Sequence, residues 1–411
     1  REAQSLGSGF IISADGYVVT NNHVITAEGQ GEVESITVTT PDGTEYPAQL
    51  VGRDAASDLA VLKIARPKPF PFVKFGDSSR ARVGDWIIAI GNPFGLGGTV
   101  TSGIVSAVYR NTGSGGAYDR YLQTDASINR GNSGGPMFDM QGQVIGINNA
   151  IFSPSGGSVG IGFAIPAEVA QPIVQKLMKG QAIERGYLGI RIQAVNEDLA
   201  ASLGIAHNRG EFVQAVEPGG AADKAGLQSG DVVMKVNGQN VTPDQTLSYI
   251  VANVAPGTRI PIELIRDGKP RTVTATVGKR PTEEELARQQ MFDPENTPPE
   301  DGRGSDSGGS GVLEQSLGVQ VIPLTPQIAR QLGIADGTQG VVVAGVDPSS
   351  DAGAKGLQRG DLILNANYKV ITSPADLQQA VNAAKAAKRE ALLVQVQRRG
   401  GPAQYVPIRL R

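Results

Sequence analysis

Cysteine is absent from the 411 residues. Disulfides and cysteine-ligated metal sites are therefore excluded, and any covalent chemistry must use another nucleophile. Histidine is almost absent too. His23 and His207 are the only two, which makes a zinc site of the usual kind implausible and leaves two candidates for histidine acid–base work. No metal or other cofactor is expected. Aromatic residues make up 5%, with Trp86 the single tryptophan. No apolar run approaches the roughly 18 residues that a spanning helix needs; "DWIIAIG" and "GVVVAGV" are strand-sized, so membrane association is not evident. A basic excess is missing as well. The net charge of −3 argues against a general nucleic-acid binder. No secretory leader is visible, but the chain opens at "REAQSLGSGFIIS", one step before a strand, and reads as a processed or trimmed start.

What is present is glycine, 54 residues of it, and 40% hydrophobic residues, enough for real cores. The length suits roughly two to four domains. From residue 7 to about 165, short apolar runs such as "GYVVT", "LAVLKI" and "QVIGINNAI" alternate with turn signals, D-G at 15–16 and P-D-G at 41–43 among them. Many short strands in this pattern predict a barrel or sandwich. The stretch "PAEVAQPIVQKLMKGQ" then predicts a helix, with Pro166 in its first turn and Pro172 kinking or delaying it.

Beyond that helix the chain repeats. "VEPGGAADKAGLQSGDVVMKVNG" at 216–238 matches "VDPSSDAGAKGLQRGDLILNANY" at 346–368 without a gap, and "YLGI" at 187–190 is answered by "SLGV" at 316–319. Two copies of one module are expected rather than a solenoid. Between them, 281–311 is rich in Pro, Gly, Ser and acids, a composition that cannot bury a core and reads as a flexible linker that opens with a short helix.

The chemistry centres on "TDASINRGNSGGP", residues 124–136. A glycine-rich turn is one reading of G-N-S-G-G; a nucleophilic serine is the other. A serine hydroxyl needs a base. In the order Ser–acid–His of the α/β-hydrolases, the base for Ser133 could only be His207. His207 sits in "GIAHNRGEF", where the second copy has Asp336, and reads as an exposed loop residue; the strand–helix alternation of that fold is missing as well. In the order His–Asp–Ser, His23 of "VVTNNHV" and Asp58 of "ASDLAVLKI" precede Ser133 within the same all-β segment. Taken singly, His23 reads as an ordinary histidine and Asp58 as a turn residue before a strand. Together with Ser133 they favour a protease.

"TNNHV", "SDLAVLKI" and "NRGNSGGP", followed by "YLGI…AGLQSGD" and "SLGV…KGLQRGD", resemble the HtrA family of serine proteases, in its DegP/DegQ-like branch with two PDZ domains. The resemblance covers nearly the whole chain. It implies a mainly β protein: a chymotrypsin/trypsin-like double β-barrel over 1–180, PDZ domains over 184–280 and 312–411, and the linker 281–311 between them. It implies His23, Asp58 and Ser133 as the triad, and Gly131, Asn132 and Ser133 around the oxyanion hole. Residues 127–132 match the family's oxyanion loop, with Arg130 at the centre of a switch between inactive and active arrangements. Ile128 and Ile161 would line a small apolar pocket that selects Val, Ala or Ile before the cut. Tyr187, Leu188, Gly189 and Ile190 would capture a peptide's terminal carboxylate in the first PDZ domain. The expected partners are unfolded proteins and peptides, and copies of the chain itself in a trimer-based homo-oligomer, a trimer, a hexamer or a larger cage; a chaperone role beside the protease is implied too, and the expected location is the periplasm. The family usually carries an extra strand and a long loop before "LGSG", and neither is present here. A chaperone with a vestigial protease domain is the competing reading, against which the complete triad argues.

Overall fold

The computed structural model describes residues 6–26, 35–92, 97–112, 116–129, 131–153, 157–281, 311–325, 328–329, 332–335, 337–398 and 401–411. The expected linker thus lies almost wholly outside the described residues. The chain divides into two compact units, Arg1–Glu184 and Arg185–Arg411.

In the first unit, β1 (Phe10–Ile11), β2 (Tyr17–Asn21), β3 (Ile36–Thr39), β4 (Glu45–Asp54) and β5 (Leu59–Lys63) form an antiparallel sheet in the order β1-β2-β5-β4-β3. β5 lies between β2 and β4, and its Leu59, Ala60, Val61 and Leu62 are all buried. That explains a continuous apolar run where a one-faced strand would alternate. The next six strands are β6 (Trp86–Gly91), β7 (Thr99–Arg110), β8 (Tyr121–Thr124), β9 (Pro136–Phe138), β10 (Val144–Ile151) and β11 (Gly162–Pro166). They close into a barrel in the order β10-β11-β8-β7-β6-β9. Ile87, Val105, Leu122, Met137 and Ala164 fill its core. Burying each larger aliphatic side chain stabilises the fold by about 1.5–3 kcal/mol.

The helix Ala167–Met178, α1, differs from the expectation in two respects. Pro166 is its N-cap, and Pro172 does not delay the helix, which begins at Ala167 and includes Pro172. A proline at the sixth helical position costs one backbone bond, the one to the Glu168 carbonyl. The buried face made by Val169, Ala170, Ile173, Val174 and Leu177 offsets that loss, and α1 packs it against β4, β5 and β10.

The second unit holds the two repeats. In the first, strands Ile190–Ala194, Glu211–Val216, Val232–Val236, Arg259–Arg266 and Lys269–Thr276 lie side by side in chain order. In the second, Val319–Pro323, Val341–Val346, Leu362–Ala366, Ala391–Gln397 and Ala403–Arg409 do the same. Each copy has a register shift at the same place, between Arg191 and Ile192 and between Gln320 and Val321. Each packs a helix against its core, Leu247–Ala252 or Pro374–Ala386, and the second copy adds Leu313 and Leu317 of the helix Gly311–Leu317.

Within this unit the copies touch through side chains. The Phe212 and Tyr405 rings meet edge to face at 5.3 Å. The Gln214 side chain bonds both backbone groups of Tyr405, accepting from its N–H at 2.9 Å and donating to its carbonyl at 3.1 Å. That bidentate bond caps the open edge of the last strand, where unpaired groups would otherwise invite another chain. Lys355 Nζ reaches Asp198 at 2.6 Å.

Candidate active site

The first-unit site is built around Asp58, in the turn between β4 and β5. Its backbone carbonyl accepts from the Asn21 side-chain amide at 2.9 Å and from Asn22 N at 3.1 Å. Those two bonds fasten the turn to the end of β2, where a single 3₁₀ turn, Asn22–Val24, carries His23. The Asp58 carboxylate then holds His23 twice. Oδ1 accepts from the His23 backbone N–H at 2.8 Å, and Oδ2 pairs with the ring Nδ1 at 2.6 Å. A carboxylate on Nδ1 assigns the proton there, which leaves the Nε2 lone pair free to act as a base. His23 is half exposed, its side chain 49% accessible.

Oδ2 has a further partner, the Asn149 side-chain amide of β10, which donates at 2.6 Å. Asn149 also reaches the serine: Ser133 Oγ donates to its backbone carbonyl at 3.1 Å. Among the described residues, that is the hydrogen bond the hydroxyl makes; His23 is bonded to Asp58 and not to Ser133. Catalytic hydrogen bonds of this type often close only when substrate is bound.

Ser133 lies in the loop between β8 and β9. Three of the five N–H groups of residues 131–135 are committed: Asn132 to the Asn129 carbonyl at 3.0 Å, Gly134 to Asn148 at 2.8 Å, Gly135 to Asn132 at 3.0 Å. The N–H groups of Gly131 and Ser133 have no partner among the described residues. This is the spacing an oxyanion hole uses, two donors with one peptide between them. Asn132 therefore supplies the peptide that carries the Ser133 N–H, while its own N–H is engaged. Gly131 sits at φ 103° and Gly134 at φ 87°, backbone conformations that favour glycine. A Cβ on Gly134 would come 2.3 Å from the Ser8 carbonyl oxygen.

Arg130 lies outside the described residues. Ile128 is 2% exposed and packs in the barrel core; a Cβ on Gly162 would come 2.8 Å from its Cγ1. Ile161 is half-buried, and its carbonyl accepts from Phe152 N at 3.0 Å. Ser158 N donates to Asn129 Oδ1 at 3.0 Å, tying the start of "SVGIGF" to the serine loop. His207, the alternative base, is exposed in a turn of the second unit.

In the second unit, the carbonyls of Leu188 and Gly189 accept from Ala222 N at 2.9 Å and Glu217 N at 2.8 Å. Gly189 is at φ 72°. Gly189 directly precedes Ile190, the first residue of an edge strand. Leu188 is buried in the core. The Tyr187 phenol is pushed above its usual range by burial and by the Glu217 carboxylate beside it.

The sequence reading missed Asn149, Ser8 and Glu217. Asn149 left a trace: "INNAI" puts two amides into an otherwise apolar strand, and a buried amide is costly unless it has partners. Ser8 left none, because Ser between two glycines reads as a turn.

A histidine oriented by a carboxylate, a serine beside two backbone donors without a partner among the described residues, and a following pair of modules with open strand edges define a trypsin-like serine peptidase carrying peptide-binding domains. Comparison with known proteins agrees. Residues 7–147 match the trypsin-like peptidase domain, and 186–277 and 315–405 each match the PDZ domain. The chain is 45% identical over 392 residues to a protein of Brucella suis biovar 1 named "Probable periplasmic serine endoprotease DegP-like", covering 95% of this chain and 71% of that one. A protein of the same name from Rhizobium meliloti is 44% identical over 396 residues, covering 96% and 73%. The solved structure of the HtrA-type protease AlgW with a tripeptide superposes with a TM-score of 0.61 at 45% identity, covering 68% of this chain and 91% of that one. The chain belongs to the HtrA family of serine endoproteases, among its DegP-like members, and is a serine endopeptidase with PDZ domains.

Proposed function

We propose that Ser133, His23 and Asp58 carry out the peptide hydrolysis, on unfolded or misfolded proteins of the cell envelope, without ATP. Ser133 Oγ attacks the scissile carbonyl as its proton passes to His23 Nε2. The carbonyl oxygen becomes an oxyanion and meets the N–H groups of Gly131 and Ser133. His23 returns the proton to the leaving amine as the C–N bond breaks, and water releases the acyl group by the same route. Asp58 keeps the ring in the required tautomer and stabilises the imidazolium. The observation that carries this reading is the double hold of Asp58 on His23, backbone and ring together, next to a serine with two uncommitted backbone donors.

Ile128 and Ile161 select a small aliphatic residue before the cut, with Arg130 and its neighbours governing the oxyanion loop. The loop Tyr187–Ile190 receives the end or an extended stretch of the substrate, and tethering it to the protease raises the local substrate concentration. The domain limits are 1–180, 184–280 and 312–411. The relatives' name places them in the periplasm, and we assign this chain there, as a trimer-based homo-oligomer with a second role as a chaperone. No helix among the described residues is long and apolar enough to cross a membrane.

Degradation of reduced casein by the chain and by Ser133→Ala tests the proposal. Losing a triad serine costs about 10⁶ in turnover, so only the parent should cut, after Val, Ala or Ile. Equal cutting by both proteins rejects Ser133 as the nucleophile. Binding without cutting by the parent, in the presence of a hydrophobic C-terminal peptide, favours the chaperone reading.

A further inference from the structure

Ser8, half-buried just before β1, is attached to the serine loop at two points. Its N–H donates to the Ser133 carbonyl at 2.9 Å. Its hydroxyl donates to the Gly131 carbonyl at 2.6 Å and accepts from Asn92 N, at the end of β6, at 2.8 Å. Its own carbonyl accepts from Thr20 Oγ1 of β2 at 2.7 Å. Ser8 thus links the first sheet, the end of β6 and the nucleophile loop through backbone and side chain together.

The two uncommitted donors, Gly131 N and Ser133 N, belong to the peptides 130–131 and 132–133. Ser8 grips the carbonyls of the peptides 131–132 and 133–134, which alternate with them. Fixing every second peptide plane leaves the intervening N–H groups little freedom. At Gly131, without a Cβ, a peptide can rotate at low steric cost, so the hydroxyl bond is a restraint that the side chain at 131 cannot supply. We propose that Ser8 is a positioning residue for the oxyanion hole: its hydroxyl holds the 131–132 peptide so that the Gly131 and Ser133 N–H groups converge on one point. The proposal rests on the reading of Ser133 as the nucleophile.

The test compares Ser8→Ala and Ser8→Thr with the parent on a peptide substrate and on a peptide boronate with valine at the reacting position. Removing a direct oxyanion donor costs about 10²–10³ in kcat; losing a restraint on two donors should cost less, about 10- to 100-fold. Ser8→Ala should lose this in kcat with KM nearly unchanged, because the oxyanion exists only after attack. The boronate, whose adduct resembles that state, should weaken by a similar factor, and Ser8→Thr, which keeps the hydroxyl, should recover most of the loss. The ratio of boronate affinity to KM does not depend on the folded fraction, so partial misfolding cannot imitate the result. A loss confined to KM, an unchanged boronate ratio, or equal losses in both variants overturns the proposal. Failure of the nucleophile assignment would show separately, as a parent whose Ser133 takes no fluorophosphonate label.

Discussion

Asp58 takes a backbone conformation, φ 55°, that a residue with a side chain seldom adopts. Its surroundings explain how it stays there. Its carbonyl receives Asn21 and Asn22, and its carboxylate receives His23 twice and Asn149 once. Such conformations persist where neighbours over-determine them. Asn149 is the member that joins the first sheet to the barrel, since it comes from β10. Replacing it with alanine removes one donor from a charged oxygen, worth about 1.5–3 kcal/mol, and frees the carboxylate to rotate away from the ring. Asn149→Ala should lower kcat/KM by about tenfold. Asn149→Asp should lower it further, because a second carboxylate would face the first. Steady-state rates on one peptide substrate check the order; a rate for Asn149→Asp equal to the parent's contradicts it. His23, Asp58 and Ser133, the residues proposed as the triad, stood out in the sequence because each sits in a turn signal beside an apolar strand, in a chain order known for this chemistry. Asn149 and Ser8 did not, because what they do depends on contacts across 91 and 123 residues of chain.

At the scale of elements, most strands were legible, since alternation and Gly- or Asp-rich turns record them locally. The path of α1 through Pro172 was not: a helix's tolerance of proline depends on the packing of its other face, which no local pattern records. Glu211, at the head of the strand Glu211–Val216, shows how an element end is held. Its Oε2 accepts the Leu247 N–H at 2.7 Å, at the start of the helix Leu247–Ala252, where Thr246 caps Tyr249 N. Burial pushes its carboxyl above the ordinary 4.5, against the opposing pull of the Leu247 bond. A raised folded value means that the favourable contribution of the neutral acid is complete below 4.5 and is lost as pH rises through the folded value. Glu211→Gln is neutral throughout and keeps an oxygen for Leu247. It should melt about 2–4 °C higher than the parent at pH 7.5, equivalent to about 1 kcal/mol, with the gap closing near pH 4. A gap of the same size at pH 4 contradicts the assignment.

At the scale of the whole molecule, the tandem repeat was visible as self-similarity, yet the contact between the copies was not. It sits where the copies differ. Phe212 stands where the second copy has Val342, and Gln214 where it has Ala344; Tyr368, whose hydroxyl donates to the Gly230 carbonyl of the first copy at 2.8 Å, stands where the first copy has Gly238. Tyr405 answers to Thr272, each the second residue beyond an equivalent pairing, Gln397 with Ala403 and Ile265 with Pro270. Divergence between otherwise matching repeats was therefore a signal for an interface, open to anyone aligning the copies. The protease half carries the account's central claim, that His23 and Asp58 activate Ser133. Labelling with a fluorophosphonate, followed by peptide mapping, tests it most directly, because the reagent captures a serine only when a base and an oxyanion site serve it. The account predicts label on the peptide carrying Ser133 in the parent and a loss of labelling by several orders of magnitude in His23→Ala. Label on another residue, or an undiminished rate without His23, would contradict it.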